Sequence, residues 1–260
     1  MGTAGRETGM TPDNDRRAPA QGEEGGLSRA QSQATPPPHQ AILSNVPFAV
    51  SSLAALLAAI FLIMQALPAG IEASLSERFG FSPERLFAGI DAPGDVVGMI
   101  APLVTHALLH ASVPHLLFNL LWLFVFGAPI ARRWPGGVRF YAFFLSCSVA
   151  GALFFALFHR HDATLLVGAS GGITGLLGGL VRFAFHRPSS RPASARGVLP
   201  LFDRSVLTWT AVVIAMNASA AILGPSVGAG DADIAWQAHV GGFLFGVLAF
   251  PLFDGMGDRQ

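Results

Sequence analysis

Residues 168–185 read GASGGITGLLGGLVRFAF, a stretch in which six of the eighteen residues are glycine and a single residue, Arg182, carries a charge. The apolar part of this stretch, from Ser170 to Phe185, predicts the shortest of several membrane helices. Small residues let the backbones of neighbouring helices approach closely inside a membrane. We therefore expect this helix at the centre of a helical bundle, packed against other helices instead of lipid.

The composition of the whole chain agrees with a membrane protein. Of its 260 residues, 52% are hydrophobic and only 12% are charged, whereas about 25% of the residues in a soluble domain are charged. The formal net charge is zero, so the chain shows no basic excess of the kind that holds nucleic acid through phosphate contacts. These numbers predict an all-α integral membrane protein that contacts the lipid bilayer and has no nucleic-acid partner.

Apolar segments that could form membrane helices recur along the chain. Besides residues 170–185, they are residues 47–67, 112–130, 140–158, 206–223 and 236–253. A helix needs about 20 apolar residues to cross the ~30 Å hydrocarbon layer. We therefore predict a six-helix membrane domain over residues 46–255. The long connection at residues 68–111 mixes apolar and charged side chains, which favours a first loop that lies in the outer membrane interface.

The regions outside the spans predict the topology. Residues 1–45 are rich in Gly, Pro, Ser and Gln and predict a disordered tail, and residues 256–260 form a short C-terminal tail. Arginines concentrate between the second and third spans and between the fourth and fifth, which predicts that these loops are cytoplasmic. Both termini would then be cytoplasmic, and Ser170 and the start of the sixth span would lie toward the outer side.

A serine and a histidine are the candidate catalytic pair. Gly168-Ala169-Ser170-Gly171 opens the fourth span with a hydroxyl flanked by small residues, and His239 stands near the start of the sixth. Both residues would enter the membrane from the same side, as required for an imidazole that activates a serine from within ~3 Å. The alternative is that the glycine motif serves helix packing and the histidine only links helices by a hydrogen bond.

Two further polar residues, His115 and Asn119, lie four positions apart in the second span and therefore share one helical face. Both side chains can donate hydrogen bonds toward one point, which suits the stabilisation of an oxyanion. The alternative is a polar clamp between helices, which is what we predict for Asn217 in the fifth span.

These motifs resemble those of the rhomboid intramembrane proteases. They follow the family's order along the chain: His115-x-x-x-Asn119, Gly168-Ala169-Ser170-Gly171, and Ala238-His239 followed by Gly242 and Gly246. The resemblance implies a serine endopeptidase of bacterial type in the inner membrane, which cleaves transmembrane segments of other proteins and needs no metal or cofactor. Its site would be a Ser170–His239 pair without an acidic third member, open to the outer side.

The resemblance also assigns supporting roles. The oxyanion hole would comprise His115, Asn119 and the backbone N–H of Ser170, while four glycines would support the site and its helix packing: Gly168, Gly171, Gly242 and Gly246. Thr174 departs from the family pattern, because some relatives carry an aromatic residue there that stacks on the histidine.

Two other functions fit parts of the same pattern. A non-catalytic rhomboid-like protein would bind membrane helices without cleaving them, since a fold alone does not confer activity. A transporter or proton pathway would use His115 and His239 as relays, although it would leave the Gly-Ala-Ser-Gly motif without a role.

Overall fold

The computed structural model describes residues 46–91, 94–134, 136–185, 197–223 and 235–255. Within these ranges the chain forms helices and no strand, apart from one isolated bridge between two loops. Helices α1 to α10 are Phe48–Ala66, Ala69–Phe79, Pro83–Asp91, Val96–Ile100, Pro102–Thr105, Val113–Arg133, Val138–Phe158, Ser170–Val181, Arg204–Leu223 and Trp236–Gly255. The predicted tails at 1–45 and 256–260 lie outside the described residues.

Four of these helices, α1, α6, α7 and α10, are long and apolar enough to cross a membrane. The prediction of an all-helical integral membrane protein is therefore confirmed. The fourth predicted span corresponds to α8, whose 12 residues rise only about 18 Å, and the fifth corresponds to the 20-residue α9. The six-span count and the interfacial location of the first loop stay predictions.

Helices α8 and α6 depart from the predicted spans for local reasons. Helix α8 ends at Val181 instead of residue 185, because the chain then tightens into a 3₁₀-type turn, in which the N–H of Phe183 donates to the carbonyl of Leu180 only three residues earlier, at 3.1 Å. Helix α6 extends to Arg133 instead of residue 130 and contains a π-helical turn at Leu123–Gly127. Pro129 follows this turn and has no N–H to donate one helical turn back, which is a local cause of such irregularity.

Helix α8 occupies the centre of the bundle. Nine of its twelve residues are buried, and its glycines meet the backbone of α10. A methyl group built on Gly242 would overlap the carbonyl oxygen of Gly171, and one built on Gly246 would overlap that of Gly175. The two helices therefore approach more closely than any side chain would allow, which brings the starts of α8 and α10 together.

A buried arginine compensates for a proline inside α10. Pro251 cannot donate to the carbonyl of Val247 four residues earlier. The guanidinium of Arg182, just after α8, donates to that carbonyl and also to the carbonyl of Leu199 at 3.0 Å. Arg182 is only 4% exposed, so hydrogen bonds to two carbonyl oxygens stabilise its charge inside the bundle, and one of these carbonyls, that of Val247, would otherwise lack its helical donor.

The first loop fixes the segment that precedes α8. Phe81 and Leu166 exchange two backbone hydrogen bonds, at 3.0 and 2.8 Å, in the isolated bridge. Two residues further along, the N–H of Gly168 donates to the carbonyl of His106 at 2.9 Å. These three bonds anchor the chain directly before Ser170, so the first loop contributes to the position of the predicted nucleophile.

Candidate active site

The structure brings together the predicted nucleophile and base. Ser170 is the first residue of α8 and His239 lies in the first turn of α10. Nε2 of His239 is 2.8 Å from Oγ of Ser170, and both side chains are partly buried. An imidazole nitrogen at this distance from a hydroxyl is within reach to accept its proton. The contact depends on the close packing of α8 against α10.

Thr174 connects the backbones of these two helices beside the Ser170–His239 contact. Its hydroxyl oxygen lies 2.9 Å from the carbonyl of Ser170, one turn earlier, and 3.0 Å from the carbonyl of His239. The second contact crosses from α8 to α10. A hydroxyl has one hydrogen to donate, so Thr174 shares it between the carbonyls of its own helix and that of His239. Its position in the family pattern is thus occupied by a polar link instead of an aromatic ring.

A polar side chain of α9, Asn217, also contacts the imidazole of His239. Oδ1 of Asn217 lies 3.1 Å from Nδ1 of His239, and Nδ2 of Asn217 donates to the carbonyl of Val213 at 2.9 Å. Asn217 was predicted as a polar clamp between helices, and its partner is the predicted base itself. Sequence spacing gave the depth of Asn217 in its helix but not the residue that it faces.

The backbone of Gly168 packs against the ring of His115, two residues before Ser170. Gly168 has φ of +124°, and a methyl group built there would lie 2.8 Å from Nε2 of His115 and 3.9 Å from Oγ of Ser170. Only glycine adopts this conformation without strain, and a side chain at this position would collide with the His115 ring. The His115 ring therefore lies against the chain that leads into Ser170.

Asn119 lies one turn beyond His115 and is 5% exposed. Its Nδ2 donates to the carbonyl of His115 at 2.8 Å. An amide nitrogen carries two hydrogens, so this bond uses one and leaves the second for another acceptor. The structure thus positions Asn119 beside the His115 backbone, and its contact with a substrate stays a prediction.

Two histidines of the first loop, His106 and His110, lie next to residues of the site. The ring of His110 packs edge-on against that of His115 with centroids 5.2 Å apart. The buried ring of His106 lies 2.9 Å from the carbonyl of Pro102 through Nδ1, and burial lowers the pKa of His106 to about 4. Among the described residues, no group of His, Cys, Asp or Glu side chains is arranged to hold a metal ion.

Comparison with known proteins identifies the family of this chain. The model of the Rhomboid domain matches residues 97–253, which include the Ser170–His239 contact and most of the helical bundle. The chain belongs to the rhomboid family. Because a plant protein is among its relatives, the bacterial subtype that the sequence suggested stays a prediction.

Three relatives illustrate the extent of the similarity. RHOMBOID-like protein 4 of Arabidopsis thaliana is 32% identical over 54% of this chain and 30% of its own length. Rhomboid protease GluP of Bacillus subtilis is 31% identical over 56% of this chain and 25% of its length, and Rhomboid protease GlpG of Serratia proteamaculans is 31% identical over 56% and 45%. The matched part of this rhomboid thus spans less than half the length of each relative.

Proposed function

We propose that this rhomboid protein is an intramembrane serine endopeptidase that cleaves transmembrane segments of other membrane proteins. The observation that carries the proposal is the 2.8 Å contact between Nε2 of His239 and Oγ of Ser170. Two relatives that are named rhomboid proteases support it. A serine within hydrogen-bond reach of an imidazole is the arrangement that nucleophilic catalysis by a serine needs.

The reaction proceeds in two stages. Oγ of Ser170 attacks the carbonyl carbon of the scissile peptide while Nε2 of His239 accepts the hydroxyl proton. The same imidazole then delivers that proton to the leaving amine, and the C–N bond breaks to give an acyl-enzyme. A water molecule next loses a proton to His239 and attacks the ester, and the proton returns to Ser170 as the acid product leaves.

The oxyanion of each tetrahedral intermediate needs hydrogen-bond donors. We assign this role to the side chains of His115 and Asn119 and to the backbone N–H of Ser170. The first amides of a helix have no acceptor one turn back, and the positive end of the α8 dipole faces the same place. The His115 ring packs against Gly168, two residues before Ser170, and so lies at the same end of α8 as the proposed oxyanion.

The topology proposed from the sequence indicates from which side of the membrane a substrate would reach Ser170. Six spans with both termini in the cytoplasm would place the start of α8 and the start of α10 toward the outer side of a bacterial inner membrane. A substrate helix must then unwind near that side to expose a peptide bond. We therefore expect preferred substrates to carry helix-weakening residues close to the outer membrane boundary and a small residue at the cut site.

The test uses the full chain purified in detergent. Wild type, Ser170→Ala and His239→Ala are treated with a fluorophosphonate, which reacts with activated serines, and are mixed with a generic single-span substrate. We expect labelling and cleavage in wild type and neither in the variants. Folding of all three proteins is compared by thermal unfolding, so that a loss of activity is not confused with a loss of structure.

Either of two results would overturn the proposal. Labelling that persists in Ser170→Ala would place the reactive serine elsewhere. A well-folded wild type that neither reacts nor cleaves would instead favour the non-catalytic alternative, a rhomboid-like protein that binds membrane helices.

A further inference from the structure

The orientation of the Asn217 amide is fixed by its own helix. Nδ2 of Asn217 donates to the carbonyl of Val213 at 2.9 Å, as a side chain bonding back one turn on α9. Rotating the amide by 180° would turn Oδ1 toward that carbonyl, so two acceptors would face each other. The oxygen of Asn217 therefore points away from Val213, toward Nδ1 of His239 at 3.1 Å.

This orientation decides which nitrogen of His239 carries the proton. An amide oxygen only accepts hydrogen bonds, so Nδ1 of His239 must be the donor. The neutral imidazole then has its lone pair on Nε2, which lies 2.8 Å from Oγ of Ser170. In the opposite tautomer, Nδ1 and Oδ1 would be facing acceptors and Nε2 would carry a hydrogen, leaving no base beside the serine.

We infer that Asn217 is a positioning residue that holds His239 in the tautomer able to accept the proton of Ser170. The inference rests on the proposed function and adds a third member to its machinery, contributed by α9. In serine protease triads a buried carboxylate does this work, and its replacement by an amide inverts the histidine tautomer and lowers kcat ~10⁴-fold. Here the carbonyl of Val213 accepts one hydrogen of the Asn217 amide, which keeps the amide oxygen turned toward His239.

An amide suits the position beside His239 better than a carboxylate would, because the bundle around it is apolar. A carboxylate at this place would bring a charge into a region where ionised side chains are costly. Asn217 presents an equivalent acceptor oxygen without that charge. Together with Thr174, which holds the backbone of His239 from α8, it restrains the imidazole from two helices.

The kinetic test compares Asn217→Ala, Asn217→Asp and a matched control, Ser219→Ala. Ser219 lies on the same helix and also donates to a backbone carbonyl, that of Met216, but it is exposed. We expect Asn217→Ala to lower kcat by roughly 10–100-fold with KM within about twofold, as for loss of a residue that orients a functional histidine. Asn217→Asp keeps the acceptor oxygen and should retain more activity than the alanine variant.

The expected result for the control is wild-type kcat. Wild-type kcat in Asn217→Ala would overturn the inference. The inference would also be overturned if Asn217→Ala, Asn217→Asp and Ser219→Ala all lost kcat to the same extent, because kcat would then depend on the integrity of α9 and not on the acceptor oxygen of residue 217.

A spectroscopic measurement separates this inference from the proposed function. The protein has eight histidines, so ¹⁵N-histidine spectra of wild type and His239→Gln identify the signals of residue 239. We expect a single Nδ1–H tautomer in wild type and a mixture in Asn217→Ala. An Nε2–H tautomer in wild type would overturn the inference. A locked Nδ1–H tautomer in a protein that cleaves nothing would uphold the positioning role while refuting the protease.

Discussion

Substitution of Gly168 by alanine tests the oxyanion role proposed for His115. The added methyl group would lie 2.8 Å from both Cε1 and Nε2 of His115, whereas ordinary carbon contacts are ~3.5–4.0 Å. The ring must therefore retreat by roughly 0.7–1.2 Å. A displacement of about 1 Å in a catalytic group can lower the rate ~10²-fold. The φ of +124° at Gly168 adds strain of about 1–3 kcal/mol for a residue with a side chain.

The assay is steady-state cleavage of a single-span substrate, with thermal unfolding measured in parallel. We expect Gly168→Ala to lower kcat by roughly 10²-fold and to reduce stability modestly. Gly136→Ala is the matched control, because Gly136 also has a positive φ, +99°, but a methyl group there would meet nothing within 4 Å. The control should lose stability through backbone strain while its kcat stays near wild type.

A double-mutant cycle with His115→Ala shows whether the loss passes through that ring. If Gly168→Ala acts by displacing His115, the double variant should be no slower than His115→Ala alone, since coupled residues are not additive. Fully additive losses, or wild-type kcat in a folded Gly168→Ala protein, would refute the oxyanion role proposed for the His115 ring.

Three further predictions concern packing, a buried charge and pH. Arg182→Met should reduce the free energy of unfolding by about 1–3 kcal/mol, because the carbonyl of Val247 loses its donor; chemical unfolding in detergent measures this. Gly246→Ala should lower the melting temperature and abolish cleavage, because its methyl group would overlap the carbonyl oxygen of Gly175. Burial lowers the pKa of His106 from 6.5 to about 4, so below pH 6.5 the unfolded chain binds a proton that the folded protein does not. The free energy of unfolding should therefore be constant above pH 6.5 and fall by about 2 kcal/mol by pH 5. Unfolding titrations of wild type and His106→Asn measure this difference.

The sequence predicted the long helices well because their limits are local. The first span was expected at 47–67 and is Phe48–Ala66, and the third was expected at 140–158 and is Val138–Phe158. Uninterrupted apolar residues bounded by proline, glycine or charged residues leave little freedom in where such helices begin and end. The limit of α8 was missed because the carbonyl of Arg182 accepts the N–H of Leu199 at 2.7 Å instead of an amide further along its own helix.

The site was predictable in its residues and not in its contacts. Periodicity gives the depth of Ser170 and His239 and the shared face of His115 and Asn119, since these follow from 1.5 Å of rise and 3.6 residues per turn. Which polar groups meet across helices depends on how the helices rotate and pack. The link between Asn217 and His239 arises from such packing, and a lone asparagine in an apolar helix gives no indication of its partner.

The shortness of α8 connects the fold to the proposed chemistry. A helix of 12 residues covers about 18 Å of a ~30 Å hydrocarbon layer, so at least one of its ends must lie where protein or water, not lipid, surrounds the backbone. The N-terminal end carries amides without helical acceptors, and Ser170 stands there beside His239. The glycines that bring α8 against α10 and the loop bonds that anchor Gly168 together hold this helix terminus, with its positive dipole, inside an apolar bundle. In the proposed reaction, that is where the oxyanion would need hydrogen-bond donors.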